Sequence, residues 1–417
     1  MTAHGTANGG KPMHKSPRCK SPGHTSPKNG ASPGGEAQPH ERDLDCAKGR
    51  ADSAPRGGQA KPHRSHRNAR KPQDRFAALD LGTNNCRLLI AAPKGGQFRV
   101  VDAFSRIVRL GEGLASTGAL SDDAMERAVL ALKICAEKVK KRDVTSARFI
   151  ATQACRAASN GEAFLDRVKR ETGLEFEIIS TEEEARLAVM GCADLFDPDA
   201  QAGLVFDIGG GSTELSWVRP KDDGGRRRKR LDILAWTSLP VGVVSLSEEW
   251  GGQSISAPKY ADIVGSVRDR LRAFGDPQGL RPIFEGGGAH LLGTSGTVTS
   301  IAGIHLGLER YRRDRVDGLW LTSGDARTVS QRLIDMDYEQ RKAEPCVGAE
   351  RADLVICGCA ILEALLCEWP AERIRVADRG LREGILHGLA ESARRKRKRR
   401  RRALRNSAKQ NASARSN

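Results

Sequence analysis

The sequence predicts an α/β protein of two duplicated domains facing one cleft, flanked by disordered basic tails. The first observation behind this is the stretch 204–215, LVFDIGGGSTEL. Its apolar start reads as a buried strand. Three glycines and Ser212 make a tight turn, and alternation over 213–218 makes a second strand. The second observation is a copy of that layout at 78–92, ALDLGTNNCRLLIAA. Asp80 falls on Asp207 and Gly82 on Gly209, an offset of 127 positions that is the size of a domain. The third is the length: 417 residues suffice for two domains and tails.

Each turn has a chemical reading. Glycines let several backbone N–H groups converge on one point, where an anion such as phosphate fits. Asp207 and Glu214 flank the turn, and carboxylates beside a phosphate site suit a hard cation such as Mg2+. The plain alternative is a hairpin whose glycines only make the bend.

The remaining elements follow in order. Residues 1–74 are rich in Gly, Pro, Ser, His, Lys and Arg, with Ser-Pro steps at Ser16, Ser21, Ser26 and Ser32. They have too little to bury and are expected to be disordered. After the first hairpin, 98–104 reads as a strand. Ser121 is placed to cap a helix over 122–141. A strand over 148–152 leads to Arg156 and a helix over 160–172. Arg156 is either a phosphate contact or a surface arginine. A strand over 176–180 precedes TEEEARLA, which opens a helix to about 193. Its three glutamates suit a helix N-terminus, and Thr181 with Glu184 fits a capping box. Alternatively one glutamate faces the cleft and takes a proton from water. A charged loop over 222–230 separates 213–218 from a strand over 231–239. Helices are expected from about Ser245 and over 257–274. Gly293, Thr294, Ser295, Gly296 and Thr297 form a third glycine turn opening an apolar helix over 298–306. It suits either a phosphate chain or tight helix–sheet packing. A helix over 352–367, a strand over 374–377 and a last helix from 381 to about 391 complete the fold. Residues 394–402 are nine consecutive basic residues, expected to repel one another and stay extended.

Charge is unevenly spread. Residues 1–75 hold 15 Lys/Arg against 6 Asp/Glu, and residues 391–417 hold 12 against 1. The middle is left with 42 against 45, so the net +17 belongs to the tails. A nucleic-acid-binding fold is therefore not implied. The ten cysteines form no C-x-x-C and read as reduced thiols of a cytoplasmic protein. No apolar run is long enough to span a membrane, and the N-terminus lacks the apolar segment of a secretory signal.

Taken together, ALDLGTNNCRLLIA, ATQACRAASNGEAF, ISTEEEARLA, FDIGGGSTELS, SLPVGVVSL, GTSGTVTSIA and RGLREGIL resemble the exopolyphosphatase and guanosine pentaphosphate phosphatase family. The likeness runs from about residue 76 to 391. It implies two actin- or sugar-kinase-like (ribonuclease H-like) domains, here 75–200 and 201–391, and a short form without the helical phosphohydrolase-like C-terminal domain of longer relatives. It implies Glu184 as the catalytic carboxylate acting on water. It implies phosphate contacts at Gly82, Thr83, Asn84, Arg156, Gly209, Gly210, Gly211 and Ser212, and at Gly293, Thr294, Ser295 and Gly296. Asp80, Asp207 and Glu214 would be the carboxylates associated with Mg2+. The implied reaction is Mg2+-dependent release of terminal orthophosphate from inorganic polyphosphate, or the 5'-phosphatase reaction on guanosine pentaphosphate. A homodimer is a further expectation. Two readings of other kinds remain: a kinase or ATPase passing the phosphoryl group to an acceptor, and a polyanion- or ribosome-binding regulator acting through its tails.

Overall fold

A computed structural model describes residues 74–413, apart from Gly96 and residues 222–229. The expected N-terminal extension, save Asp74, and nearly all of the charged loop therefore lie outside the described residues.

The first half runs β1 (Phe76–Leu81), β2 (Asn85–Lys94), β3 (Gln97–Ile107), α1 (Leu114–Thr117), α2 (Asp122–Lys141), β4 (Ser146–Ala151), α3 (Gln153–Ala157), α4 (Gly161–Thr172), β5 (Glu177–Ile178) and α5 (Thr181–Cys192). Its sheet has the order β3-β2-β1-β4-β5. β1, β2 and β3 pair antiparallel, while β4 joins β1 in parallel. The second half runs β6 (Ala202–Ile208), β7 (Thr213–Lys221), β8 (Arg230–Leu239), α6 (Val243–Trp250), α7 (Ala257–Phe274), α8 (Arg281–Glu285), β9 (Ala289–Thr294), α9 (Gly296–His305), α10 (Arg313–Val316), β10 (Trp320–Thr322), α11 (Ser323–Asp335), α12 (Tyr338–Ala343), α13 (Val355–Glu368), β11 (Arg373–Ala377) and α14 (Leu381–Ser413). Its sheet, β8-β7-β6-β9-β11-β10, repeats the first order with β10 added at the edge. β6 pairs antiparallel with β7 and parallel with β9, as β1 does with β2 and β4. The duplication inferred from two short motifs extends to both sheets.

Local chemistry explains the helices. Ser121 caps α2 by accepting from Ala124 N–H. Asp122 and Asp123 sit in its first turn and Lys138, Lys140 and Lys141 in its last, each complementing the macrodipole. α13 is apolar on nearly every face and is accordingly buried, packed against α7. Each sheet has its own main core. A third cluster joins β1 (Phe76, Ala78) and α5 (Leu187) to the start of α14 (Leu381, Ile385, Leu386). The chain's last helix thus packs on the first sheet.

Three expectations need correction. The strand over 176–180 shrinks to Glu177–Ile178, because Ser180 leaves it to cap α5 by accepting from Glu183 N–H. The cap is therefore Ser180 and not Thr181. The last helix does not stop near 391 but continues through the basic run to Ser413. Lys and Arg are good helix formers, and positive charge suits a helix C-terminus, so a helix already anchored by packing carries on.

The described cysteines are all free thiols. Among the described residues no helix is long and apolar enough to cross a membrane.

Candidate active site

The two glycine turns are built alike. Gly82 N–H donates to Asn85 O at 2.9 Å, and Gly209 N–H donates to Ser212 O at 2.9 Å. The carbonyls behind each turn are tied down: Thr83 O accepts from Gly111 N–H, and Gly210 O accepts from Val244 N–H. The N–H groups of Thr83, Asn84, Gly210 and Gly211 donate to nothing among the described residues, which leaves them for an anion. The turns also meet. A Cβ on Gly210 would stand 3.0 Å from Thr83 Cβ, and one on Gly211 would stand 3.1 Å from Thr83 Oγ1. Glycine at both positions permits that approach.

Both turns line a cleft of about 680 Å3. Asp80, Glu184, Asp207 and Glu214 enter it from β1, α5, β6 and β7. α5 sorts its three glutamates. Glu182 is exposed, Glu183 pairs with Arg148 and Arg186, and Glu184 faces the cleft with its side chain 13% exposed. Arg156 donates to Glu184 Oε2 at 3.1 Å, to Ile179 O at 2.7 Å and to Gln153 Oε1 at 3.3 Å. It stands behind Glu184 as its holder and does not itself line the cleft.

Burial governs the electrostatics. It pushes the Asp207 carboxyl up to about 7, with Glu214 adding to the effect. It raises Asp80 against the pull of Arg87 and Arg382. It raises Glu214 although the Ser212 and Ser238 hydroxyls donate to Oε1 at 2.6 and 2.9 Å. Glu184 is raised well above its ordinary range by burial first and Glu214 second, with Arg156 opposing. Four carboxyls whose charged forms are disfavoured by burial are what a bound cation would relieve. Among the described residues, though, no three acidic, thiol or imidazole side chains gather closely enough to cage a metal. The donor set fits an ion held by one or two carboxylates, with the remaining positions taken by water and phosphate oxygens, the habit of Mg2+.

The third turn is divided. Gly293 lies in β9 under Phe206, where a Cβ would stand 2.4 Å from the ring. It serves packing. Thr294, Ser295, Gly296 and Thr297 line the cleft. Ser295 takes φ 99°, a strained value for a non-glycine, and its buried hydroxyl has no partner among the described residues. Asn84 Oδ1 and Asn85 Oδ1 are likewise buried without partners among the described residues.

Sequence reasoning missed the five cleft arginines, Arg87, Arg313, Arg351, Arg379 and Arg382. Arg87 pairs in register with Asp80, as Glu214 does with Asp207. The 127-residue offset places Arg87 on Glu214, so the repeat itself held the signal. Arg382 reaches the cleft only because α14 packs beside β1, which no local pattern reveals. Arg382 is half-buried, and burial lowers its pKa.

A sequence model of the Ppx/GppA phosphatase family matches residues 89–393. A solved PPX-GPPA enzyme of Aquifex aeolicus is 30% identical, with a TM-score of 0.61, covering 76% of this chain and 99% of its own. A solved exopolyphosphatase-like protein is 28% identical, with a TM-score of 0.66 and coverage of 76% and 99%. An exopolyphosphatase from Cytophaga hutchinsonii, at 24% identity, shares the fold with a TM-score of 0.65, covering 76% of this chain and 98% of its own.

Proposed function

The chain belongs to the Ppx/GppA phosphatase family, and from that premise we propose that it releases terminal orthophosphate from inorganic polyphosphate. The observation that carries this reading is one half-buried carboxylate, Glu184, sharing a cleft with two turns of backbone N–H groups unused among the described residues. The choice of polyphosphate over guanosine pentaphosphate is supported by the cleft wall. Among the described residues it carries Arg87, Arg313, Arg351, Arg379 and Arg382 but a single aromatic ring, Tyr311, whose hydroxyl is bound to Asp378. A guanine base would want a stacking surface. Two of the similar solved structures are also described as exopolyphosphatase or exopolyphosphatase-like.

The turns hold the terminal phosphoryl group through the N–H groups of Thr83, Asn84, Gly210 and Gly211. Arg156 fixes Glu184 through Oε2, leaving Oε1 to accept a proton from water. The water oxygen bonds to phosphorus, the bridging P–O bond breaks, and the shortened chain leaves with the electron pair. Phosphoryl transfer is mostly positioning and charge stabilisation, so aiming this water is the task left to a side chain. One or two of Asp80, Asp207 and Glu214 would hold Mg2+, with water and phosphate oxygens in its other positions, and the ion when bound would neutralise phosphate oxygens. Arg87 and Arg382 receive the next phosphates.

The test is orthophosphate release from polyphosphate of several lengths and from guanosine pentaphosphate, with Mg2+ and with a chelator. Release from polyphosphate that the chelator abolishes is expected. Turnover of guanosine pentaphosphate alone would transfer the assignment to that substrate. ADP formation from ATP with an acceptor would replace hydrolysis by a kinase reaction.

A further inference from the structure

The basic run at 394–402 belongs to the same helix as a wall of the cleft. α14 begins beside Gly380, with Leu381 and Arg382 lining the cleft, and continues unbroken to Ser413. Residue 394 lies about 20 Å further along the axis. From there nine consecutive Arg and Lys side chains are all exposed. Arg395 pairs with Glu391 and Arg397 with Asp74; none of the other seven meets an acidic partner among the described residues. On a helix this is one positive charge per about 1.5 Å of axis. That linear density matches the one charge per about 1.7 Å of duplex DNA.

We propose that this helical extension is a docking arm for the distal part of a long polyphosphate chain whose end lies in the cleft. The inference rests on the polyphosphate reading above. Three features favour this occupant. The run carries charge on every face and no apolar residue, so it has no face to insert into a lipid surface. Residues 391–413 contain no aromatic side chain on which a nucleic-acid base could stack. The arm also starts at the cleft wall, so one molecule of sufficient length reaches both. The like charges oppose one another in the free helix, and a polyanion laid along it relieves that repulsion. Holding the chain at two places makes the second contact intramolecular and strengthens binding without any new contact at the catalytic end.

The test compares the full chain with a variant carrying K398Q, R399Q, R400Q, R401Q and R402Q. Gln keeps helix propensity close to that of Lys and Arg, and circular dichroism checks it. Labelled long-chain polyphosphate binding is measured directly, alongside KM for long chains and for tripolyphosphate. Weakening of long-chain affinity by roughly ten- to hundredfold is expected, with kcat and the tripolyphosphate KM unchanged. The dependence of long-chain binding on salt should also become shallower. Equal long-chain affinity and equal salt dependence in both proteins would overturn the proposal. So would a structured RNA that binds the arm more tightly than polyphosphate of equal charge. If neither protein hydrolyses any polyphosphate, the substrate reading fails, while the binding comparison still decides the arm.

Discussion

Glu182, Glu183 and Glu184 stand side by side at the start of α5, and a helix turns each about 100° from the last. That rotation gives them solvent, two arginines and the cleft respectively. Ser180 takes the capping role that would otherwise compete for Glu184. The Glu184→Gln variant should keep the fold and lose roughly 10²–10⁴-fold in kcat, the size of a general-base contribution. Steady-state rates with a thermal melt check this, and normal turnover would remove Glu184 from the reaction. Asp207 yields a pH prediction. Its carboxyl rises from 3.8 to about 7, so the folded protein keeps a proton that the unfolded chain releases. The stabilisation is complete below the unfolded value and is lost as pH rises through the folded one. The melting temperature of metal-free protein should therefore fall between about pH 4 and 7. Asp207→Asn should flatten that fall, and Mg2+ should stabilise the parent more at neutral than at acid pH. A melting profile identical in parent and variant would contradict the assignment.

At the scale of elements, the contact between α5 and α14 decides whether Glu184 and Arg382 share a cleft. Two glycines permit it. A Cβ on Gly191 would stand 1.8 Å from Gly380 O, and one on Gly384 would stand 2.1 Å from Leu187 O. Gly191→Ala and Gly384→Ala should each cost about 1–3 kcal/mol by overpacking, with kcat falling alongside. Gly388, one turn further along α14, has only Met190 Cε at 3.9 Å. Gly388→Ala should be neutral or stabilising by up to about 1 kcal/mol, because alanine is the better helix former. Denaturant melts of the three variants separate these outcomes; equal effects at all three positions would deny the close contact its role.

At the scale of the whole molecule, hydrogen bonds and an ion pair tie the first half to the second. Arg109 forms a two-pronged pair with Asp353, at 2.8 and 3.1 Å, and Gly113 N–H donates to Glu248 Oε1 at 2.8 Å. Arg109 adopts φ 46°, so this grip is made at some backbone strain. Arg109→Ala and Asp353→Ala should couple by about 0.5–3 kcal/mol in a double-mutant cycle on stability, and each should raise KM. Strict additivity would show the pair to be incidental.

By itself the sequence determined that two hairpins repeat at a fixed offset, that each turns on glycines beside an aspartate, and that α2 and α7 span 122–141 and 257–274. These are local matters: the period of apolar residues, the cap, and the residues a tight turn accepts. Tertiary structure alone decided that Arg156 backs Glu184, that Gly293 packs under Phe206, and that Arg382 arrives in the cleft from the far end of the chain. It also decided that the basic run continues a helix. Such outcomes depend on which distant surfaces are buried together, and burial energy is set by neighbours in space that the order of residues does not name.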